Sequence, residues 1–261
     1  MLPRRSLIGL LLLFALTGCN KNAPAPAEKE KENDEGDQVP LIDRLNPLNK
    51  VRDSASRAKS KNNLRLLIIA MHMYNSDFET LPIGGIKANG APILDQQSKP
   101  LLSWRVALLP LMEQQALYNA FHLNEPWDSP HNLTLIDKMP SVYKHPSATS
   151  DRPGTTRYQM IAGPAFLKPG KSIQAIPDGS SNTIIIAEAA NPVIWTKPDD
   201  ITISDMEMPS DLLKYFSRLD PYGFHVAMGD ASIYFFPYAK LDLKNLWLLM
   251  RPDDGMSPRL P

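Results

Sequence analysis

One cysteine in 261 residues leaves nothing for an internal disulfide, so packing and hydrogen bonds alone must hold the fold. Neither charge is in excess: Lys plus Arg is 28 and Asp plus Glu is 28. That balance removes the positive field that nucleic-acid recognition needs. Glycine is scarce at 13 while proline reaches 25 and is spread along the chain, which excludes long helical bundles and favours short elements joined by extended or turn segments. Long apolar runs are missing too. The most pronounced, Leu7 to Leu16, is interrupted at Gly9 and falls short of the roughly 20 residues that cross about 30 Å of hydrocarbon. His122, His131, His145 and His225 are too dispersed for a short-range metal motif, and no His or Cys stands two to five residues from any of them. Ser103, Asp128 and His131 make a conceivable triad, yet neither a Gly-x-Ser-x-Gly elbow nor a glycine-rich oxyanion loop accompanies them. No cofactor is expected.

What is present begins with an export signal. Arg4 and Arg5 precede the Leu7 to Leu16 run, so residues 1–18 read as a signal peptide that is removed. The next step, Leu16-Thr17-Gly18-Cys19, resembles the lipobox of bacterial lipoproteins. That resemblance implies a diacylglycerol on Cys19, and it explains a lone thiol in an exported chain. Two acyl chains suffice for stable anchoring, since each buried methylene contributes about 0.8 kcal/mol. Residues 19–40 hold almost nothing to bury: Ala and Pro alternate from Ala23 to Ala27, and Glu28 to Asp37 sets six acids against two lysines, net −4. Such composition implies a disordered acidic tether with a root-mean-square span of about 25 Å. Residues 41–261 remain as a single domain.

Within that domain the period changes from helix to strand and back. From Val51 to Tyr74, Ala55, Ala58, Leu64, Leu67, Ile68, Met71 and Tyr74 recur near three-and-four spacing and predict a helix with one face in the core. Leu81-Pro82 and Gly84-Gly85 end it and open an irregular stretch to Pro100. A second helical segment is predicted from Trp104 to Phe121, interrupted at Pro110. The loop Glu125 to Asn132 follows, its two prolines fixing the backbone while Trp127 plugs an apolar pocket. Strands are predicted over Thr155 to Ile161, Thr183 to Ala189, Tyr222 to Met228 and Ser232 to Pro237, with turns at Asp178-Gly179 and Gly229-Asp230. A short helix, Leu243 to Met250, closes the chain. Helices followed by strands define an α+β class.

Several motifs taken in order resemble a large planctomycete family known only as a domain of unknown function, number 1559. They are Asn62-Asn63-Leu64 with its helix into Leu81-Pro82, Leu102 to Pro110, Glu113-Gln114, Leu117-Tyr118-Asn119, Phe121-His122-Leu123, Glu125 to Asn132, Met139-Pro140, Asp178 to Thr183, Glu188 and Trp195 to Asp200. The resemblance implies a pilin-like head, loop- and proline-rich, with an N-terminal helix packed on an antiparallel sheet. It brings no known activity. Departures from the pattern are equally informative. Pilin-like members begin with a prepilin cleavage site and a long apolar helix, whereas this chain has the lipoprotein peptide and the acidic tether. The cysteine often seen before the Asn-Asn pair is Ser60-Lys61 here, and Gly229-Asp230-Ala231-Ser232 follows the usual hairpin motif only loosely.

Five residues stand out as ligand contacts or core plugs: Trp104, Trp127, Asp128, His131 and Trp195. Aromatic faces stack on sugar rings, so three tryptophans could line a glycan cleft, although in a proline-rich domain such rings more often fill the core. Asp178, Glu188, Asp199 and Asp200 lie near predicted strand ends. Asp178 suits a turn cap, and Glu188 suits an acceptor for hydrogen bonds from neighbouring loops. The expectation is a lipid-anchored cell-envelope protein, a non-catalytic structural or interaction module whose partner is an envelope protein or a glycan. The alternatives are a solute- or glycan-binding lipoprotein and an envelope hydrolase. No metal and no nucleic acid are expected, and the membrane leaflet is left open.

Overall fold

The computed structural model describes residues 47–82, 93–162, 171–203, 207–256 and 258–260. The chain divides into two units, Met1–Pro40 and Leu41–Pro261. The first, with Cys19 and the acidic tract, lies outside the described residues, as does the Gly84-Gly85 stretch of the predicted irregular region.

Helix α1 spans Pro47–Phe78, longer at both ends than its apolar period predicts. Proline suits its first position, where the missing N–H costs no helical bond. Its 32 residues rise about 48 Å. Leu64, Leu67, Ile68, Met71 and Tyr74 are buried as predicted, but Ala55 and Ala58 are exposed. The reason is that the first turns, with Leu48 at 76% and Val51 at 67% exposure, have little packed against them. Contact with the sheet begins with polar side chains at Arg57, Ser60 and Asn63.

The predicted Trp104 to Phe121 helix is three short pieces. Helix α2 is Trp104–Ala107, a 3-10 turn covers Leu109–Met112, and helix α3 is Gln115–Ala120. Ser103 caps α2 by accepting the Arg105 N–H. Pro110 then enters the 3-10 turn, and Glu113 at φ 60° reverses the chain, so a continuous helix cannot form. The following loop ends in helix α4, Pro130–Leu133, capped by Ser129 with proline in its first turn.

Five strands form one sheet, β1 Thr155–Ala162, β2 Ile184–Ile194, β3 Ile201–Thr202, β4 Gly223–Met228 and β5 Ile233–Pro237, in the order β3-β1-β2-β4-β5. The β1–β2, β2–β4 and β4–β5 pairs are antiparallel, as expected. The two-residue edge strand β3 pairs parallel to β1, so the sheet is mixed and not wholly antiparallel. Strand β2 runs past its predicted end at Ala189. Its register with β1 jumps between Thr156 and Tyr158, and Asn191-Pro192 sits in that bulge, where a missing ladder donor is tolerated. Arg157 reaches into the bulge to the carbonyls of Ala189 and Ala190. The β4–β5 hairpin pairs regularly from Gly223↔Pro237 to Ala227↔Ile233 despite its loosely matching turn.

Both faces of the sheet are covered. Helix α1 and the 102–109 segment pack on one face with Tyr158, Ile185 and Trp195. On the other, helix α5, Leu243–Met250, lays Leu246, Trp247 and Leu249 against Ile184, Phe224 and Val226. Two-sided burial explains why Ile184-Ile185-Ile186-Ala187 reads as a continuous apolar run instead of alternating.

Candidate functional site

The densest collection of titratable groups is on the α1 face of the sheet, around Glu188. Glu188 stands on β2 directly opposite Tyr158 on β1, so both side chains leave the same face. The carboxylate is 2% exposed and accepts four donors. Ser60 from α1 donates to Oε1. Strand β4 supplies the His225 backbone N–H to Oε2 at 2.8 Å and its Nδ1 to Oε1 at 3.2 Å. The fourth is His145 Nε2 at 3.3 Å from Oε1. The Nδ1 of His145 accepts the Ser147 N–H at 3.2 Å, which places the ring proton on Nε2, facing the carboxylate.

Hydrogen-bond direction follows throughout the cluster. Ser60 gives its proton to Glu188, so its oxygen accepts from Tyr158 at 2.8 Å, and Tyr158 in turn accepts from Asn63 Nδ2 at 3.3 Å. Burial by itself would raise the Glu188 carboxyl, but the hydrogen bonds from His145 and His225 outweigh it and hold the group well below the usual range. Tyr158 is pushed the other way by burial and then by Glu188, so its proton stays in place. Three of the four donors converge on Oε1 and one on Oε2, and all four come from within the fold.

A second cluster joins two motifs about 90 residues apart, Ser103-Trp104-Arg105 and Asp199-Asp200. Arg105 is 0% exposed, and all five of its N–H groups have acceptors. Nε and Nη2 donate to Tyr158 O at 3.1 and 2.8 Å, and Nη2 also donates to Asp200 Oδ1 at 2.8 Å. Nη1 donates to Ser103 Oγ at 2.8 Å and Asp199 O at 3.4 Å. The guanidinium lies 4.5 Å from the Trp104 ring centroid, and Trp104 Nε1 donates to Asp200 at 3.1 Å. Both clusters share Tyr158, through its hydroxyl and its carbonyl.

The residues singled out from sequence do not converge. Trp104 and Trp195, at 2% and 0% exposure, are core plugs that no sugar can reach. Trp195 donates Nε1 to Ile136 O at 2.9 Å and packs on Phe121 and Tyr143. Trp127 is half-buried against the same core, with Lys197 Nζ 5.8 Å from its ring centroid. Asp128 is exposed. His131 stacks on His122 at 3.5 Å and 2°, and it reaches Ala120 O rather than Ser103, whose hydroxyl serves Arg105. The imagined triad is therefore not assembled. The Asp178 side chain does not cap its own turn but accepts the Asp254 and Gly255 N–H groups at 2.8 Å. Glu188 is an acceptor as expected, but its donors come from α1, β4 and the His145 loop, and not from loops alone.

Sequence reasoning missed Ser60, Arg105, Tyr158 and the pairing of His145 with His225. Ser60 carried a signal: it sits four residues before Leu64, on the buried stripe, where an apolar residue is the rule. Among the described residues no group of three or more His, Cys, Asp or Glu is placed to hold a metal ion. Nor is any described helix long and apolar enough to cross a membrane.

On the outer side of α1 an open groove of about 560 Å³ separates Leu66, Ile69 and Met73 from Leu111, Met112 and Val142. Glu113 and Gln114 also line it. A polar cleft of about 550 Å³ lies by His72 and Glu79. There Asn75 is bonded to Gln174 and Ile173, and His72 to Gly229 O.

These features define an α+β domain in which one buried polar cluster ties a long helix to a mixed sheet and a second ties the 103–105 segment to strand β1 and the 199–200 loop. Residues 49–171 match the model of the family described as protein of unknown function (DUF1559), short name SBP_bac_10. The match takes in Ser60, Arg105, His145 and Tyr158 and ends before Glu188, Asp200 and His225. No curated protein and no solved structure matches the chain.

Proposed function

We propose that this chain is a lipid-anchored protein of the cell envelope whose folded domain works by contact with other molecules and not by catalysis. The observation that carries the reading is the burial of both clusters and the commitment of their charged groups to partners inside the fold. Glu188 and Arg105, 2% and 0% exposed, spend their hydrogen-bonding capacity inside the fold, so neither presents a reacting group to a substrate. Ser60 is likewise committed on both sides, to Glu188 and Tyr158. Support for the anchor is separate and comes from Leu16-Thr17-Gly18-Cys19 after the apolar run.

Intact-mass analysis of protein extracted from membranes tests the anchor. The expected product begins at Cys19 and carries added diacylglycerol mass, while Cys19→Ala leaves the chain unprocessed or in the soluble fraction. A mature terminus elsewhere, or no acyl mass, refutes the anchor. A hydrolytic activity lost in a folded Glu188→Gln variant would refute the contact reading.

A further inference from the structure

We propose that the groove beside α1 receives a single amphipathic helix, which sets an apolar stripe against Leu66, Ile69 and Met73 and a basic residue against Glu113. The proposal rests on the contact reading above and adds the chemistry of the partner. Leu66, Ile69 and Met73 are 47%, 43% and 45% exposed and share one face of α1 at i, i+3 and i+7. Their inward neighbours Leu67, Ile68 and Met71 are fully buried, so α1 carries two apolar faces and the fold uses one.

Size selects the occupant. Three half-exposed side chains and their facing wall make only a small patch. A stable dimer needs about 800 Å² from each partner, more than this patch offers to a second folded copy. A small molecule fits poorly as well. Such ligands are enclosed over roughly 70–90% of their surface, whereas a wall whose side chains are near half exposed leaves one side wet. From Leu66 to Met73 the helix rises about 10.5 Å, or two turns, the length over which a docked helix presents anchors at i, i+3, i+4 and i+7.

Charge selects the polarity of the partner. Glu113 is the one ionisable side chain among the described residues that line the groove, and it is exposed. It has no ion-pair partner among those residues. Its left-handed backbone, φ 60°, is uncommon outside glycine and turns the chain at the end of the groove. An unpaired carboxylate beside an apolar trough favours a lysine or arginine on the occupant.

The test uses the full chain in lipid nanodiscs and two fluorescent helical peptides. Both carry leucine at i, i+3, i+4 and i+7; one is flanked by lysine and the other by glutamate. The lysine peptide is expected to bind more tightly. Ile69→Asp, with circular dichroism unchanged, is expected to weaken it at least tenfold, and Glu113→Gln to erase the preference between the peptides. Equal binding of the two peptides by wild type overturns the proposal, as does undiminished binding by Ile69→Asp. Displacement of the lysine peptide by dodecylammonium at similar concentration assigns the groove to small amphiphiles and also overturns it. So does a sedimenting dimer that Ile69→Asp abolishes, which assigns the groove to a second copy. A chain that fails to load into the discs refutes the anchor alone, since the same titration in buffer still decides the groove.

Discussion

Glu188 is held by donors from three separate parts of the chain, and its charge state is tied to the fold. Its carboxyl sits below the ordinary value of 4.5 because His145 and His225 favour the ionised form despite burial. A depressed folded pKa adds stability above about 4.5, and that contribution is lost as pH falls below it. Glu188→Gln is therefore expected to cost about 3 kcal/mol near neutrality, the scale of removing one partner from a buried charged pair. The gap to wild type should shrink as pH drops from about 5 to about 3. Urea midpoints across that range measure it. A gap independent of pH would mean that Glu188 is not ionised in the folded protein. Local patterns could not reveal this site, since Ser60 and Glu188 are 128 residues apart. What could be read was narrower: a serine on an apolar helical stripe, and a carboxylate in an otherwise buried strand.

The long helix shows how one element serves two surfaces. Its inner face is legible in the spacing of Leu64, Leu67, Ile68 and Met71, because burial at a period of 3.6 is a local property of the sequence. Its outer stripe is not legible as such, since Leu66, Ile69 and Met73 read as more of the same apolar helix. Leu67→Ala, at a side chain with 0% exposure, is expected to cost about 2–5 kcal/mol by leaving a cavity. Leu66→Ala, one residue away and 47% exposed, should stay within about 0.5 kcal/mol. Denaturant unfolding of both variants is the check. Similar losses would mean that the outer stripe is packed within the domain. The Trp104 to Phe121 segment teaches the opposite lesson: apolar content suggested a helix, but Pro110 and the left-handed Glu113 broke it into short turns.

As a whole, the molecule is expected to act as separate tethered heads and not to polymerise into a pilus. A filament core built of N-terminal helices would have to bury Glu28 to Asp37, net −4, and an unpartnered buried charge costs several kcal/mol. Electron microscopy of sheared cell fractions with immunolabelling decides the matter, and labelled filaments many subunits long would refute it. At this scale the sequence by itself determined the absence of disulfides, the neutral charge and the α+β order. It also placed Leu243–Met250 and the starts and ends of β1, β4 and β5 to within about one residue, because backbone period and turn residues act locally. Only the tertiary structure decided which polar groups meet. Arg105 and Asp200 are 95 residues apart, and Tyr158 faces Glu188 only because β1 and β2 adopt one register, set by the bulge and by burial of both sheet faces. Hydrophobic burial depends on each residue's own surface and its neighbours along the chain, whereas a hydrogen bond needs two specified atoms within about 3 Å, a condition that only the folded chain can meet.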